Sequence, residues 1–571
     1  MPVQYHVLAA DYDGTLARDG YVAESTVDSL RRLRETGRKL ILVTGRRLEP
    51  VLELFPHVSL FDRIVAENGA LLFDSSSGEE TQLAEAPPAE FVHALRERGV
   101  SRLETGRCIV ATWQPFETIS LEVIHEFGLD LQIIFNKDAV MLLPSGVNKA
   151  SGLAKALHQL GFSPHNVVAV GDAENDVAMM RSCSVAAAVD NALPSVKEMA
   201  DIVLTKPRGA GVEELIERII EGDLAEMRER ADQRLTIGST LDGRPFAIPG
   251  HNQSVLVTGG PGGGKSKFAI SVLELLSQRG QQFCVIDPEG DYQGLEESIT
   301  LGTAERAPDV EEVIGVLEQP DDHCVVSFFG IEKQDRPEYF NKLFRALAEL
   351  RSRTGRPHWI IVDEAHYAAP KDWQPATMWS GDELSGIIFI TAYHDEISPA
   401  VLNRVDWIIS IAKEPQSAIE ACCEIMGESV PEFPPSPEFL EHGALAWSRE
   451  INRPTWFSRL APNGNSQRHQ HSYYEGDMDA ALQFVFRGPE EKLSLASANL
   501  KEFIKTAEGV DDDTWTYHLR RHDYSNWFRE IIKDNELAAA IEDIERTQDH
   551  SPEVSRELIA NQIHDRFKPR W

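Results

Sequence analysis

Short apolar runs bounded by turn residues recur through the first 220 positions, over 6–10, 40–43, 64–66, 167–170 and 185–188. Amphipathic stretches of helical period lie between them, among them 26–36 and 149–160. Continuous apolar strands alternating with helices predict a buried parallel sheet covered by helices. This series fills residues 1–222. Charged, helix-prone sequence at 221–233 and a Gly-, Pro- and polar-rich stretch at 236–249 then break the pattern, so a linker is expected over 223–245. A second α/β series occupies 246–460, with strands expected over 255–257, 282–286, 324–329, 359–362, 386–391 and 407–411. Beyond Ala461 the run P-N-G-N-S-Q-R-H-Q-H has no apolar period and reads as a second linker, 461–472. A small third block, 473–546, holds a strand-like F-V-F and helical patterns, and 547–571 reads as a charged tail. No internal repeat is present. The fold class is therefore α/β multidomain with a small, mostly helical carboxyl-terminal domain.

Composition narrows the partners. The 571 residues suffice for several domains at roughly 150 each. Lys and Arg number 56 against 91 Asp and Glu, a net charge of -35. Such a surface repels polyanions at long range, which excludes nonspecific wrapping of nucleic acid but leaves room for a local basic channel. No apolar run reaches the ~18 residues of a membrane span, and the first residues lead straight into a strand, so neither an anchor nor a signal peptide is expected. Six cysteines without C-x-x-C spacing fit a reducing cytoplasm. Adjacent Cys422 and Cys423 read as ordinary helix residues.

Candidate chemistry collects at strand ends. The first strand runs into D-Y-D-G-T, placing Asp11 and Asp13 where open α/β sheets hold ligands. Two anions there require a compensating cation or reaction intermediate. One carboxylate can attack phosphorus while the other moves protons. An isolated D-x-D-G is equally compatible with a solvated Asp-Gly turn. Three further features share the sheet edge: Thr44-Gly45-Arg46 after the second strand, Lys149 at a helix start, and G-D-A-E-N-D (171–176) after a later strand.

This ordered set resembles the haloacid dehalogenase (HAD) superfamily of phosphohydrolases over about residues 5–220. The resemblance implies a Rossmann-like sheet with Asp11 as nucleophile, forming an aspartyl-phosphate, and Asp13 as general acid/base. Thr44 and Lys149 would bind the transferring phosphoryl group. Asp172, with Asp11 and the Asp13 carbonyl, would hold Mg2+, supported by Asn175 and Asp176. Asn68-Gly69-Ala70 and the long insert resemble the Cof-type subgroup, with a small α+β cap over about 82–143 that sets selectivity. Arg107, Trp113 and Phe116 either face the pocket or serve cap packing and surface.

The second series opens with a strand and then T-G-G-P-G-G-G-K-S, in which Gly259, Gly264, Lys265 and Ser266 fit G-x-x-x-x-G-K-[ST]. Gly259, Gly262, Gly263 and Gly264 would let backbone N–H groups cradle phosphates. Lys265 adds a point charge, and the Ser266 hydroxyl is placed to ligate Mg2+. The strand over 359–362 ends at Asp363-Glu364, a metal-supporting acid followed by a base for water. The D-E-A-H string is treated as accidental, since no helicase set accompanies it. With I-D-P-E-G-D-Y and I-I-F-I-T-A-Y, the block resembles HerA/FtsK-like P-loop ATPases with a RecA-like domain. That resemblance implies ATP hydrolysis, a homo-oligomeric, hexameric ring, and coupling to DNA or another polymer. Thr391 would end the sensor strand. Ala392-Tyr393 stand where the family commonly has Gln after that Thr, and Arg404 is either a trans-acting finger or a surface residue.

In the third block His518 and His522 have the spacing of a helical zinc pair, with packing favoured because no third ligand is near. Trp515, Tyr517, Tyr524 and Trp527, interleaved with Arg520 and Arg521, are either a small aromatic core or a stacking platform for bases. The leading expectation is a bifunctional cytoplasmic enzyme: a Mg2+-dependent phosphohydrolase on a phosphate ester and an ATP-hydrolysing P-loop ATPase. The alternatives are a nucleic-acid-directed translocase or defence factor, an ATP-switched regulator, and a kinase/phosphatase pair acting on one metabolite.

Overall fold

In a computed structural model, residues 3–136, 138–227, 234–250, 253–260, 263–295, 297–373, 385–437, 440, 442–460, 483–489, 492–532, 535–547 and 550–567 are described. The expected linker over 461–472, part of the first linker (228–233), Gly262 and positions 568–571 lie outside them.

Strands β1 (Val7–Asp11), β2 (Lys39–Val43), β3 (Arg63–Ala66), β4 (Leu71–Asp74) and β5 (Glu80–Gln82) open the chain. Four more build the cap: β6 (Glu104–Thr105), β7 (Val110–Trp113), β8 (Leu131–Asn136) and β9 (Ala139–Pro144). The first sheet then resumes with β10 (Val167–Gly171), β11 (Val185–Ala188) and β12 (Ile202–Val203). Its order is β12-β11-β10-β1-β2-β3-β4-β5, parallel from β12 to β3 and antiparallel beyond. Between their end residues the central strands are Val, Ile, Leu and Ala, all buried, as a sheet covered on both faces requires. Register sets Asp11 opposite Val43 and Ala10 opposite Val170, so Asp11, Thr44 and Asp172 emerge at one edge. The cap is a separate antiparallel sheet, β6-β7-β9-β8, with helices Ala89–Glu97 and Glu117–Phe127 and its own core around Phe91, Leu95, Val123 and Leu142.

The second sheet contains β13 (Leu235–Thr240), β14 (Pro245–Ile248), β15 (Ser254–Thr258), β16 (Phe283–Asp287), β17 (Ser298–Leu301) and β18 (His323–Ser327). It continues with β19 (Trp359–Val362), β20 (Ile387–Thr391), β21 (Trp407–Ser410), β22 (Gly443–Ser448) and β23 (Thr455–Arg459). Its order is β14-β13-β23-β22-β21-β15-β20-β19-β16-β18-β17, parallel from β21 to β17 and antiparallel on the other side. The stretch expected to be a linker up to residue 245 thus includes a hairpin, β13–β14, that extends this sheet. Leu235, Ile237 and Ile248 are buried in its core, and these alternating apolar positions outweigh the Gly and Pro content.

The two sheets meet at their amino-terminal edges. The buried Arg356 guanidinium donates to the carbonyls of Gly161, Leu317 and Glu318 and to the Gln282 side chain. His165 bonds the Arg279 carbonyl at 2.6 Å and packs edge-on against His358. Gly355 lies so close to Asn166 and His6 that a Cβ would not fit. The carboxyl ends of the two parallel sheets therefore face away from this joint.

The third unit pairs β24 (Phe484–Phe486) with β25 (Leu495–Ser497) under five helices among the described residues, the last of these being Pro552–Phe567. That helix corrects the expected charged tail. Ile559 and Ile563 are buried in the unit's core, and Ser555 accepts the Trp515 indole N–H at 2.9 Å.

Candidate functional site

The first strand-end cluster is buried and densely charged. Asp11, Lys149, Asp172 and Asp176 are all buried. Lys149 opens the helix Lys149–Leu160, whose amino end Asn148 caps through Ala150 and Ser151, and this aims the ammonium across the sheet edge. The ammonium donates to Asp11 and, at 2.6 Å, to Asp176. The other Asp176 oxygen accepts from the N–H groups of Asp172 and Ala173, both at 2.9 Å, which fixes the loop after β10. Oxygens of Asp11, Asp172 and Asp176 all lie within 4.8 Å of one another. Gly14, with φ +88°, lets the loop after β1 pass against the Asp172 carboxylate, where a Cβ would sit 2.4 Å from an oxygen.

Three carboxylates against one ammonium leave an excess of buried negative charge. Burial, with Asp176 beside it, outweighs the pull of Lys149 and pushes the Asp11 carboxyl up to about 8. Burial also opposes the Lys149 cation, but Asp11 and Asp176 prevail and hold it above its ordinary range. An all-oxygen, anion-rich donor set is what a hard divalent cation such as Mg2+ requires, so the residues present fit that ion.

Of the expected phosphoryl-binding and proton-moving residues, Thr44 is buried at the end of β2, and its hydroxyl accepts the Arg46 N–H at 3.1 Å. The Asp13 carboxylate, partly exposed, is gripped by both arms of Arg46 at 2.5 and 2.7 Å. Asn175 donates to the Asn68 side chain at 3.1 Å. Three residues had no assigned role in the sequence reading: Arg46, Asn68 as a partner of Asn175, and Glu67. A cation directly after Thr44-Gly45 is a legible signal for the first; contacts distant in sequence hide the others.

At the carboxyl edge of the second sheet, β15 leads through a glycine loop into the helix Lys265–Gln278. Gly264 has φ +87°, and Lys265 donates to the carbonyls of Gly259 and Gly260 at 2.9 and 3.4 Å. Gly263 lies in the loop before the helix and Ser266 in the helix's first turn, and Gly262 lies outside the described residues. Arg459 donates to the Gly264 carbonyl at 3.0 Å, a contact the sequence does not suggest. β20 lies between β15 and β19, so Thr391, Thr258 and Asp363 end side by side. Asp363 is buried; burial first, then Glu364 and the acids of the loop after β16, drives its carboxyl far above the usual range. Glu364 follows in a left-handed conformation (φ +38°), 3.4 Å from His366, which bonds the Thr391 hydroxyl at 3.0 Å. Asp287 accepts four N–H groups of the 289–292 turn, and burial pushes it up to about 7. Arg404 lies at the opposite, amino-terminal edge, its carbonyl accepting from Ser254.

In the third unit the expected alternatives separate. His518 pairs with Asp523 and His522 with Glu545, so each imidazole is turned to its own carboxylate. Trp515, Tyr524 and Trp527 are buried in the aromatic core and offer no stacking platform. Among the described residues no helix is long and apolar enough to cross a membrane.

The profile of the haloacid dehalogenase-like hydrolases matches residues 8–102 and 109–216. A Saccharolobus solfataricus protein named phosphoglycolate phosphatase 2 is 30% identical over 224 residues, 38% of this chain and 94% of that one. A Bacillus subtilis protein, 5-amino-6-(5-phospho-D-ribitylamino)uracil phosphatase YcsE, is 27% identical over 224 residues, 35% of this chain and 90% of that one. Among solved structures, a haloacid dehalogenase-like hydrolase from Bacteroides thetaiotaomicron superposes with TM-score 0.34 at 22% identity, over 38% of this chain and 99% of its own. The chain belongs to the haloacid dehalogenase-like hydrolases. The region that carries the membership is the first sheet with its cap, a HAD-type phosphatase.

Proposed function

We propose that the first sheet and cap hydrolyse a small phosphate monoester by way of an aspartyl-phosphate on Asp11. The buried constellation of Asp11, Asp172, Asp176 and Lys149 carries this reading. Asp11, at the sheet edge, attacks phosphorus in line. Asp13 gives a proton to the departing alkoxide and then takes one from the water that cleaves the acyl phosphate. Lys149 and the Thr44 hydroxyl hold phosphoryl oxygens, and Asp176 keeps Lys149 aimed. Asp11, Asp172, Asp176 and the Asp13 carbonyl are the groups that would hold Mg2+, which when bound neutralises charge on the phosphoryl group. Arg46 clamps Asp13 in one orientation, so its two donors fix where the acid can reach. Because a curated relative acts on phosphoglycolate by its name, 2-phosphoglycolate is the first ester to try, beside p-nitrophenyl phosphate.

The second sheet supports a separate ATP-binding and ATP-hydrolysing site. The supporting feature is β20 inserted between the glycine-loop strand β15 and the Asp363 strand β19, with Lys265 at the helix start. Asp363 and Ser266 would take the metal of the nucleotide, and Glu364 would orient water. Both halves are tested together. Asp11→Asn should abolish ester hydrolysis and spare ATP turnover, and Lys265→Ala should do the reverse. Wild-type protein inert toward an ester panel with Mg2+ sinks the first half; no ATP binding or turnover sinks the second.

A further inference from the structure

Glu67 is fully buried, yet the hydrogen bonds to its carboxylate come from backbone N–H groups and not from a lysine or arginine side chain. Its carboxylate accepts three successive backbone N–H groups from the cap: Arg107 and Cys108 at 2.7 Å and Ile109 at 3.1 Å. These residues form the turn between β6 and β7. Gly106, at the start of that turn, packs so tightly on the carboxylate that a Cβ would lie 2.3 Å from an oxygen. Glu67 and Asn68 both adopt left-handed backbone, φ +52° and +54°, which ordinary residues avoid unless the surroundings impose it.

The same turn touches the groups of the active site. The Glu67 N–H donates to the Arg46 carbonyl at 2.8 Å and the Asn68 N–H to the Thr44 carbonyl at 3.0 Å. The Asn68 side chain holds Asn175, and Gly69 abuts the Asn148 carbonyl at the root of the Lys149 helix. Cap and core are also joined by a small buried apolar cluster, Ala70 and Val147 with Cys108, Ile109, Met141 and Leu143, and by exposed pairs, Arg107 with Glu49 and Glu80 and Arg47 with Glu104. Such exposed pairs are screened by solvent and contribute little. Charge-assisted bonds to a buried carboxylate are the strong kind.

We propose that Glu67 is a positioning residue that latches the β6–β7 turn of the cap onto the core and holds the closed cap in register with Thr44, Lys149 and Asn175. It touches no reacting atom. This rests on the phosphatase reading for its kinetic consequence, but not for its structural one. If the closed form is populated less, substrate must spend binding affinity on closing it, and apparent affinity falls by the lost fraction.

The test uses the full chain with Mg2+, p-nitrophenyl phosphate and 2-phosphoglycolate. Glu67→Gln keeps the side-chain volume but turns an NH2 group toward backbone donors. Gly106→Ala attacks the same contact from the cap side and leaves Glu67 in place. Both variants should raise KM about tenfold or more with kcat held within about threefold. Hydrogen exchange at the amides of 107–109 should quicken at least tenfold while β1 and β10 stay protected. Unchanged exchange at 107–109 in both variants overturns the latch, and so does protection lost evenly across the core. A wild-type chain inert toward both esters overturns the phosphatase reading alone, and the exchange result then decides the latch by itself.

Discussion

Both parallel sheets place carboxylates at the carboxyl ends of buried strands, yet they treat the accompanying lysine in opposite ways. In the first, Lys149 is locked between Asp11 and Asp176. In the second, Lys265 is folded back on the carbonyls of its own loop, and no lysine or arginine among the described residues pairs with Asp287 or Asp363. The first site is organised by its own charges. Burial pushes acids toward neutrality in both, Asp11 in the first and Asp287 and Asp363 in the second, but among the described residues only the first pairs its acids with a buried lysine. A site that keeps its cation can bind a small substrate rigidly. Under the ATP-binding reading proposed above, the second site would respond to the ligand that brings its cation.

The strongest way to break this contrast is to remove each lysine. Lys149→Met leaves three buried carboxylates without their cation and should cost about 3–5 kcal/mol of stability in denaturant titrations at neutral pH. Ester turnover should fall on the order of 10^2–10^3-fold, the scale of losing one aimed donor. Lys265→Met should change stability by less than about 1 kcal/mol, because only loop carbonyls lose a partner. Equal destabilisation by the two variants would erase the distinction.

A second, smaller effect sharpens it. Mg2+ alone should stabilise the first region, by about 2.7 kcal/mol once its concentration reaches 100 times the dissociation constant. Asp172→Asn should remove that gain. The second region should respond to Mg2+ only when ATP is added with it, read as a shift in its own melting step. A gain from Mg2+ alone that persists in Asp172→Asn would place the cation elsewhere.

What the sequence discloses follows the same division. Strand-end motifs are legible because strand, turn and polar residue are contiguous, as in Asp11 to Thr15 or Gly259 to Ser266. The β13–β14 hairpin hid behind Gly and Pro, although Leu235, Ile237 and Ile248 carried its burial. The last helix was missed because only scattered residues such as Ile559 and Ile563 reach the core, so its apolar period is faint. Glu67 was invisible for a different reason: its partners are backbone N–H groups about 40 positions away, which no side-chain pattern encodes. Arg356 likewise satisfies carbonyls at the carboxyl ends of two helices, Gly161 beside the first sheet and Leu317 beside the second, a role that topology alone creates.

That joint also limits how the two sites can cooperate. Because the amino-terminal edges meet, the carboxyl edges of the two sheets point away from each other, and a small molecule passing from one to the other would have to cross open solvent. Coupling has to pass through the joint itself, whose weak point is histidine. His6 is buried against Phe162 and beside Gly355, and burial lowers its imidazole to about 4; His165, at the contact with Arg279, is lowered for the same reason. A folded-state value below the ordinary 6.5 means the unfolded chain takes up protons that the folded chain refuses. The stability held above pH 6.5 is therefore lost progressively as pH falls toward 4. For His6 the loss between pH 7.5 and 5 is about 2 kcal/mol. Replacing it with Gln should flatten that part of the pH dependence, measured as the difference in denaturation midpoint between the two pH values. A His6→Gln variant with the wild-type slope would show that the joint is indifferent to acid, and would leave the two sheets without this route of communication.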